Sequence, residues 1–248
     1  MTSGKDNAGR ATGEALAERL EKLQKLEEEI IRKCAALVKP GASITHADLF
    51  VTGAVRRVLA QARGFRDLIT AKNFPCAAAI LRMQLDTAMR VNALLVEDMN
   101  ACCEAVLIND VRFNTLKDAD GKRLSDAYLR AKLSDKHPWV NEVYKQTSDF
   151  VHLSGRHFWS SIVDADDETR IVNFFISGHD PTRPEEVYFE IVDVFFEATK
   201  LVAIMILAYF GLRSGAITLK DPTAKNGEPS SRNPSTFPGA SFPSRDGS

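Results

Sequence analysis

The feature that most constrains this chain is residues 73–97, NFPCAAAILRMQLDTAMRVNALLVE, which are apolar on nearly every side of a helix yet contain Arg82, Asp86 and Arg90. Residues four apart lie on the same helical face, so these three side chains form one row. Buried charges must be paired and hydrogen-bonded, because an unpartnered charge in a core is strongly destabilising. The stretch therefore predicts a helix that crosses the core and carries an ion-pair row.

The length of 248 residues and the hydrophobic content of 44% allow one sizeable core. We expect a single domain over residues 12–213, preceded by a disordered segment, 1–11, and followed by a disordered tail, 214–248, rich in Gly, Pro and Ser. The net charge is −1, so no global field attracts nucleic acid or an anionic membrane. Any contact with nucleic acid would need a local patch.

Three absences in the sequence indicate the compartment. The longest apolar run, residues 201–212, is shorter than the ~20 residues of a membrane span. The first residues lack the apolar run of a signal peptide, and the four cysteines show no CxxC spacing. We therefore predict a cytoplasmic protein with reduced cysteines, no membrane association, no metal and no cofactor.

The first predicted helix, residues 12–39, carries a row of leucines at helical spacing. This row has two interpretations. It packs on its own domain, which we favour, or it forms a short coiled coil with a second copy or with a partner protein.

A second helix is predicted over residues 45–72, where Thr45 and Asp48 have the spacing of a capping box. This helix carries a basic cluster of Arg56, Arg57, Arg63 and Arg66. Such a cluster is either a solvated face or a phosphate-binding patch. Two shorter helices are predicted over residues 100–116 and 122–133.

The second informative stretch is residues 137–159, HPWVNEVYKQTSDFVHLSGRHFW. It predicts a helix over 138–154 that Gly155 caps. Tyr144, Ser148 and His152 recur at steps of four and share one face. We expect this face to meet the ion-pair row of the core helix.

Beyond Gly155 the pattern changes to aromatic and β-branched residues, at 158–163 and 170–177, separated by DADDE. This pattern predicts an antiparallel hairpin over about 158–177. A capping box of Thr182 and Glu185 opens a last helix, which Gly211 closes. The predicted fold class is mainly α, a helical bundle with one β-hairpin before the last long helix.

The segments FPCAAAILRMQLDTAMRVNALL and YKQTSDFVHLS together resemble an uncharacterised bacterial family within the HEPN-like helical superfamily, over roughly residues 45–160. The Arg-x3-Glu of that family corresponds to Arg82 and Asp86, and its Ser-x3-His corresponds to Ser148 and His152. The resemblance implies a homodimeric binding module in a defence, stress or toxin–antitoxin setting, with RNA or a nucleotide as ligand. It also implies an alternative, a metal-independent ribonuclease.

For the ribonuclease alternative, the candidate catalytic residues are His152 and His157 with Arg156, because a histidine would act as general acid or base and an arginine would stabilise the phosphorane. The only formal Arg-x4-6-His match is Arg130 with His137, which chance alone is expected to produce in a chain of this composition. Whether the protein is an enzyme stays open.

The candidate ligand-binding or polar-network residues are Arg82, Asp86, Arg90, Tyr144 and Ser148. Either a closed structural network joins two helices through Arg82, Asp86, Ser148 and His152, or the same network lines a pocket for a nucleotide or phosphate. The donors of such a pocket would be Arg82, Arg90, Arg156 and His157. A purely structural interaction protein is the third functional alternative.

The same residue types occur in two other kinds of catalytic or metal site. Ser148, His152 and Asp86 are the residue types of a hydrolase triad, but a serine in the middle of a helix lacks the exposed turn that an activated serine occupies. His152 and His157 with Asp149 have no recognised metal-ligand spacing.

Overall fold

The computed structural model describes residues 3–37, 41–94, 98–180 and 183–217, without the side chains of residues 3–14 and of Arg156. In chain order its elements are α1 (Ser3–Leu37), α2 (His46–Thr70), α3 (Phe74–Asn92), α4 (Met99–Leu107), α5 (Asp126–Ser134), α6 (Trp139–Val151), α7 (Gly155–Ser160), β1 (Ile162–Asp166), β2 (Ile171–Phe174) and α8 (Glu185–Ser214). The predicted fold class is confirmed, because the chain is mainly helical and its antiparallel hairpin precedes the last long helix.

Helix α3 is the central element, as the sequence predicted. It packs against α2, α5, α6 and α8, and its Leu81, Leu85 and Met89 side chains are buried. The Asn73 side chain caps it by accepting a hydrogen bond from the Cys76 N–H at 3.2 Å. Residues 95–97 of the predicted stretch lie outside the described residues.

The leucine row of α1 packs within the same chain, against α8 and α2. Leu23 and Ile30 are fully buried there, and Arg66 of α2 forms an ion pair with Glu27 at 2.7 Å. A contact between subunits through α1 would therefore have to use another face of this helix. Helix α1 begins at Ser3, whereas the first predicted helix begins at residue 12.

The start of α2 confirms its predicted capping box. The Thr45 hydroxyl accepts from the Asp48 N–H at 3.1 Å, and the Asp48 carboxylate accepts from the Thr45 N–H at 2.8 Å. The hydroxyl of Tyr209 in α8 also donates to Asp48, at 2.7 Å. The first turn of α2 is thereby fixed to the last turns of α8.

The two short helices that follow α3 are both shorter than predicted. Helix α4 ends at Leu107 and not at residue 116, because Asp110 has φ +52, a left-handed conformation that a continuing helix excludes. Helix α5 begins after Ser125, whose hydroxyl accepts from the Tyr128 N–H at 3.4 Å, whereas residue 122 was the predicted start.

Helix α6 ends at Val151, before the predicted end at residue 154. The Ser154 hydroxyl donates to the Asp149 carbonyl at 2.9 Å, so it takes the place of the Leu153 backbone N–H that a continuing helix would supply. Gly155 is not the cap of α6, since it begins α7.

The hairpin and the last helix are shifted from their predicted bounds. The Asp166 carboxylate accepts from the backbone N–H groups of Glu168 and Thr169, at 2.9 and 3.3 Å, which places the turn later than predicted. Helix α8 has Pro184 at its N-cap position and continues through Gly211 to Ser214, where Gly215 with φ +72 ends it. Thr182 and the tail from residue 218 lie outside the described residues.

Candidate functional site

The row of charges on α3 forms one alternating chain of ion pairs. Arg82 pairs with Asp86, and the exposed fractions of their side chains are 10% and 27%. Arg90 approaches the same carboxylate at 3.7 Å and pairs with Asp126 of α5 at 3.0 Å. The predicted pair of Arg82 and Asp86 is thus confirmed. The two carboxylates in this row of ion pairs, Asp86 and Asp126, each contact at least one guanidinium group.

Tyr144 of α6 is the side chain that meets this chain of charges. The Cζ atom of Arg82 lies 3.3 Å from the centre of the Tyr144 ring, and that of Arg130 lies 4.7 Å from it. Burial raises the pKa of the Tyr144 phenol, and the carboxylates of Asp86 and Asp126 add to this rise against the two arginines. We call Arg82, Asp86, Arg90, Asp126, Arg130 and Tyr144 the ion-pair layer.

Ser148 and His152 do not join the ion-pair layer. The Ser148 hydroxyl donates to the Tyr144 carbonyl of its own helix at 2.6 Å. His152 has extended backbone angles after the end of α6 and an exposed side chain. The predicted row of Tyr144, Ser148 and His152 is therefore wrong at His152, and the triad arrangement with Asp86 is not assembled.

The remaining candidate catalytic residues lie at α7. The Nδ1 atom of His157 accepts from the Ser154 N–H at 3.3 Å, and its ring packs edge-on against Phe150. The side chain of Arg156 lies outside the described residues. Within the described chain, no group of three His, Cys, Asp or Glu side chains is arranged to hold a metal ion.

Arg130 and His137, which form the formal Arg-x4-6-His match, lie in different surroundings. Arg130 packs on Tyr144, whereas His137 lies half-buried in the turn that follows α5. Burial lowers the pKa of His137, and the neighbouring Lys136 lowers it further.

The basic cluster of α2 divides into two halves. Arg63 pairs with Asp67 at 3.2 Å, and Arg66 pairs with Glu27 at 2.7 Å. Arg56 and Arg57 are exposed, and in the described part of the chain neither forms an ion pair with a carboxylate. Only this second half has charge that the fold does not neutralise.

These two arginines line an open groove of about 410 Å³ between α2 and α3. We call it the arginine groove, and its lining consists of Gly53, Arg56, Arg57, Ala60, Gln61, Ile80 and Met83. Small residues on α2 explain the space, since a Cβ atom built on Gly53 would meet no atom within 4 Å. Ile80 and Met83 supply an apolar wall from α3.

Behind the groove, buried polar side chains connect it to α8. Arg57 Nε donates to the Thr87 hydroxyl at 3.0 Å. The Gln61 amide is assigned the orientation that satisfies both of its ends, and in this orientation its oxygen accepts from Arg57 Nη2 at 3.2 Å. The Gln61 amide nitrogen donates to Gln84, whose own amide donates to Thr199 of α8 at 2.9 Å. These contacts fix the orientation of Arg57 from within the core.

This polar connection is not among the predicted sites, although the sequence contains one signal for it. Gln84 is an uncharged amide within the largely apolar core helix, and it lies off the row of charges on α3. A buried amide of this kind requires hydrogen-bond partners. Thr87 and Thr199, which lie on two different helices, have no such signal.

Comparisons with protein-family models, with curated proteins and with solved structures each returned no match for this chain. The HEPN-like resemblance therefore stays a prediction from the two helix motifs. Of the helices in the described residues, none has a stretch that is both long and apolar enough to span a membrane.

Proposed function

We propose that this protein is a non-catalytic, HEPN-like binding module of the bacterial cytoplasm that binds a phosphate-bearing ligand, RNA or a nucleotide, in the arginine groove. The observation that carries the proposal is the pair of exposed arginines in an open groove, Arg56 and Arg57, which form no ion pair with a carboxylate in the described part of the chain. The defence, stress or toxin–antitoxin setting follows from the family resemblance.

The chemistry of the groove fits a phosphate group. Guanidinium groups bind phosphate through charge-assisted and frequently bidentate hydrogen bonds. Arg57 is already oriented by Thr87 and Gln61, so less side-chain freedom is lost when it binds. The apolar wall of Ile80 and Met83 offers a surface for a base or a ribose.

The surroundings of the other candidates favour a binding role over catalysis. The charge of Arg82 is neutralised by Asp86 and its guanidinium face is covered by Tyr144, which leaves it poorly placed to stabilise a phosphorane. The Ser148 hydroxyl is engaged by its own helix. The ion-pair layer therefore supports the structural-network interpretation of Arg82, Asp86, Arg90 and Tyr144.

The test is a binding titration followed by fluorescence anisotropy, with a labelled single-stranded RNA in one series and a labelled nucleotide in another. Arg56→Ala removes a groove arginine that makes no ion pair in the described chain. Hydrogen bonds to charged groups contribute about 1.5–3 kcal/mol, so we expect the dissociation constant to rise roughly 10- to 100-fold.

The matched control is Arg63→Ala, which removes the same charge from an exposed position of the same helix. It should change the affinity less than about threefold, since only screened long-range attraction is lost. Equal effects of Arg56→Ala and Arg63→Ala, or no binding of either ligand by the wild type, would contradict the proposal. The two series also separate RNA from nucleotide as the preferred ligand.

The ribonuclease alternative is tested with the same RNA incubated in chelator. This alternative would be favoured if the wild type and His137→Ala cleave the RNA and either His152→Ala or His157→Ala does not. Cleavage lost only in His137→Ala would instead implicate the match of Arg130 and His137.

A further inference from the structure

The arginine groove carries two positive charges that no carboxylate in the described part of the chain neutralises. Both belong to exposed side chains, those of Arg56 and Arg57. The rest of the lining consists of the Gln61 amide and of small or apolar residues. A ligand that neutralises the groove therefore has to bring about two negative charges close to both arginines.

The hydrogen bonds of Arg57 engage one side of its guanidinium group and leave the other available. Nε donates to the Thr87 hydroxyl at 3.0 Å, and Nε and Nη2 lie 3.1 and 3.2 Å from the Gln61 oxygen. The Thr87 hydroxyl in turn donates to the Met83 carbonyl at 3.0 Å. Nη1 of Arg57 has no hydrogen-bond partner among the described residues, so it is the donor that this fixed group offers to an anion.

The neighbouring charges on α2 and α3 already have partners. The other two arginines of the basic cluster pair with carboxylates, and the charged residues of α3 belong to the ion-pair layer. At the start of α2, His46 faces Glu104 at 3.6 Å, and Asp48 accepts from the Tyr209 hydroxyl at 2.7 Å. Since arginine does not lose its proton in proteins, none of the described residues that line the groove titrates near neutral pH.

The two kinds of phosphate in nucleotides and RNA differ in charge. A phosphate monoester carries about −1.5 to −2 at neutral pH, has a second pKa of about 6 and offers three acceptor oxygens. Each internal phosphodiester of a strand carries a single negative charge. The monoester therefore matches two guanidinium groups in charge, and its three oxygens allow both arginines to bind it at once. A diester would leave one positive charge without a partner.

We infer that the arginine groove selects a terminal phosphate monoester in its dianionic form over an internal phosphodiester. This inference rests on the proposed function, because it names the class of phosphate that the same groove binds. Arg57 holds the phosphate from a fixed position, and Arg56 supplies the second positive charge. The apolar wall of the groove then contacts the group that the phosphate esterifies.

The first test compares two ligands with the same base and sugar by isothermal titration calorimetry at about pH 7. Adenosine 5′-monophosphate is a dianionic monoester, and adenosine 3′,5′-cyclic monophosphate is a monoanionic diester. The wild type should bind the monoester roughly 10-fold more tightly, because one further charged contact is made. Arg56→Ala should reduce this preference to less than about threefold, whereas the matched control Arg63→Ala should preserve it.

The second test is the pH dependence of the same two affinities at constant ionic strength. Between about pH 7 and pH 5 the dianion falls from roughly nine-tenths to one-tenth of the monoester, because its second pKa is about 6. Its dissociation constant should therefore rise about fivefold as the pH falls, if the monoanion binds about 10-fold more weakly. The cyclic diester does not titrate over this range, so its dissociation constant should stay constant.

A monoester has two sources, the end of an RNA strand and a free nucleotide, and a pair of oligonucleotides separates them. An octaribonucleotide with a 5′-phosphate should bind roughly 10-fold more tightly than the same octamer with a 5′-hydroxyl if the source is an RNA end. Binding of adenosine monophosphate but of neither octamer would assign the site to free nucleotides. Either result supports selection of a monoester.

Three other results would overturn the inference. If both adenosine ligands bind equally and Arg56→Ala weakens both, the groove binds phosphate without selecting its class, and the proposed function stands. A cyclic diester whose affinity follows the pH as that of the monoester does, or octamers that bind equally with and without the 5′-phosphate, would also contradict selection of the dianion. A wild type that binds none of these ligands would overturn the proposed function together with the inference.

Discussion

Arginines lie on two sides of the central helix α3, in the ion-pair layer and on the neighbouring helix α2, and the two groups differ in what neutralises their charge. In the ion-pair layer, Arg82 is buried, paired with Asp86 and covered by Tyr144. In the arginine groove, Arg56 and Arg57 are exposed, and their described contacts are with uncharged groups or with the groove lining. The same residue type thus serves packing on one side and remains available to a ligand on the other.

The difference shows that the presence of arginine in a helix does not by itself indicate a binding site. A guanidinium group whose charge is paired and whose planar face is covered contributes to stability, and removing its partner leaves a buried charge. A guanidinium group without a carboxylate is tolerated only where water or a ligand solvates it. The comparison therefore predicts large effects on stability on one side and large effects on affinity on the other.

The largest expected effect is that of Asp86→Ala. It leaves the side chain of Arg82 buried without its carboxylate, which costs about 3 kcal/mol. For a domain of this size the melting temperature should fall by roughly 6–12 °C, measured by circular dichroism at neutral pH.

Asp67→Ala is the control for this change, because Arg63 and Asp67 are also an Arg–Asp pair four residues apart on a helix, but both are about two-thirds exposed. It should cost less than about 1 kcal/mol. If both variants melted together near the wild-type temperature, the ion-pair layer would not be a stabilising network, and the comparison with the arginine groove would fail.

The parts of this structure that the sequence predicts are those fixed by local chemistry. Three features follow from the pattern within one segment. They are the capping box of Thr45 and Asp48, the core helix with its pair of Arg82 and Asp86, and the existence of the hairpin. The end of α6 does not, because it depends on the Ser154 hydroxyl replacing one backbone donor, and this difference of one turn moves His152 off its predicted face.

The candidate site could be predicted only in part, for a related reason. The sequence showed four arginines on α2, but which of them are neutralised depends on Glu27 of α1 and on Asp67. The groove itself depends on how Gly53 and Ala60 lie against Ile80 and Met83. The pair of Arg63 and Asp67 follows from their spacing of four residues on α2, but the pairing of Arg66 with Glu27 and the groove itself depend on contacts between different helices, which no periodicity within one helix reports.

Asp48 is a carboxylate whose charged form the fold stabilises. Burial acts to raise the pKa of Asp48, but hydrogen bonds from Thr45 and Tyr209 and the charge of Arg213 outweigh it, so this pKa lies below its ordinary value. A lowered pKa gives stability that is present above the unfolded-state pKa, about 3.9, and that is lost as the pH falls through the folded-state pKa.

Urea unfolding of the wild type and Asp48→Asn at about pH 5 and pH 3 measures this contribution. The wild type should be the more stable protein at the higher pH, and the difference in unfolding free energy should narrow at the lower pH because Asp48 becomes protonated. A difference that stays constant over this range would show that Asp48 acts through the shape of the capping box and not through its charge.

The smallest expected effect tests whether the arginine groove is open. Gly53 lies in the interior of α2, and a Cβ atom there would meet nothing within 4 Å. Gly53→Ala should therefore stabilise the protein by about 0.8 kcal/mol through helix propensity alone, and Gly64→Ala, whose Cβ also meets nothing within 4 Å, should give a similar gain.

Larger side chains then separate the two positions. Gly53→Leu fills the groove beside Arg56 and Arg57 and should weaken ligand binding, whereas Gly64→Leu lies outside the groove lining and should leave binding unchanged. Destabilisation by Gly53→Ala would mean that this part of α2 is packed against another surface, and the groove would then not be available to a ligand.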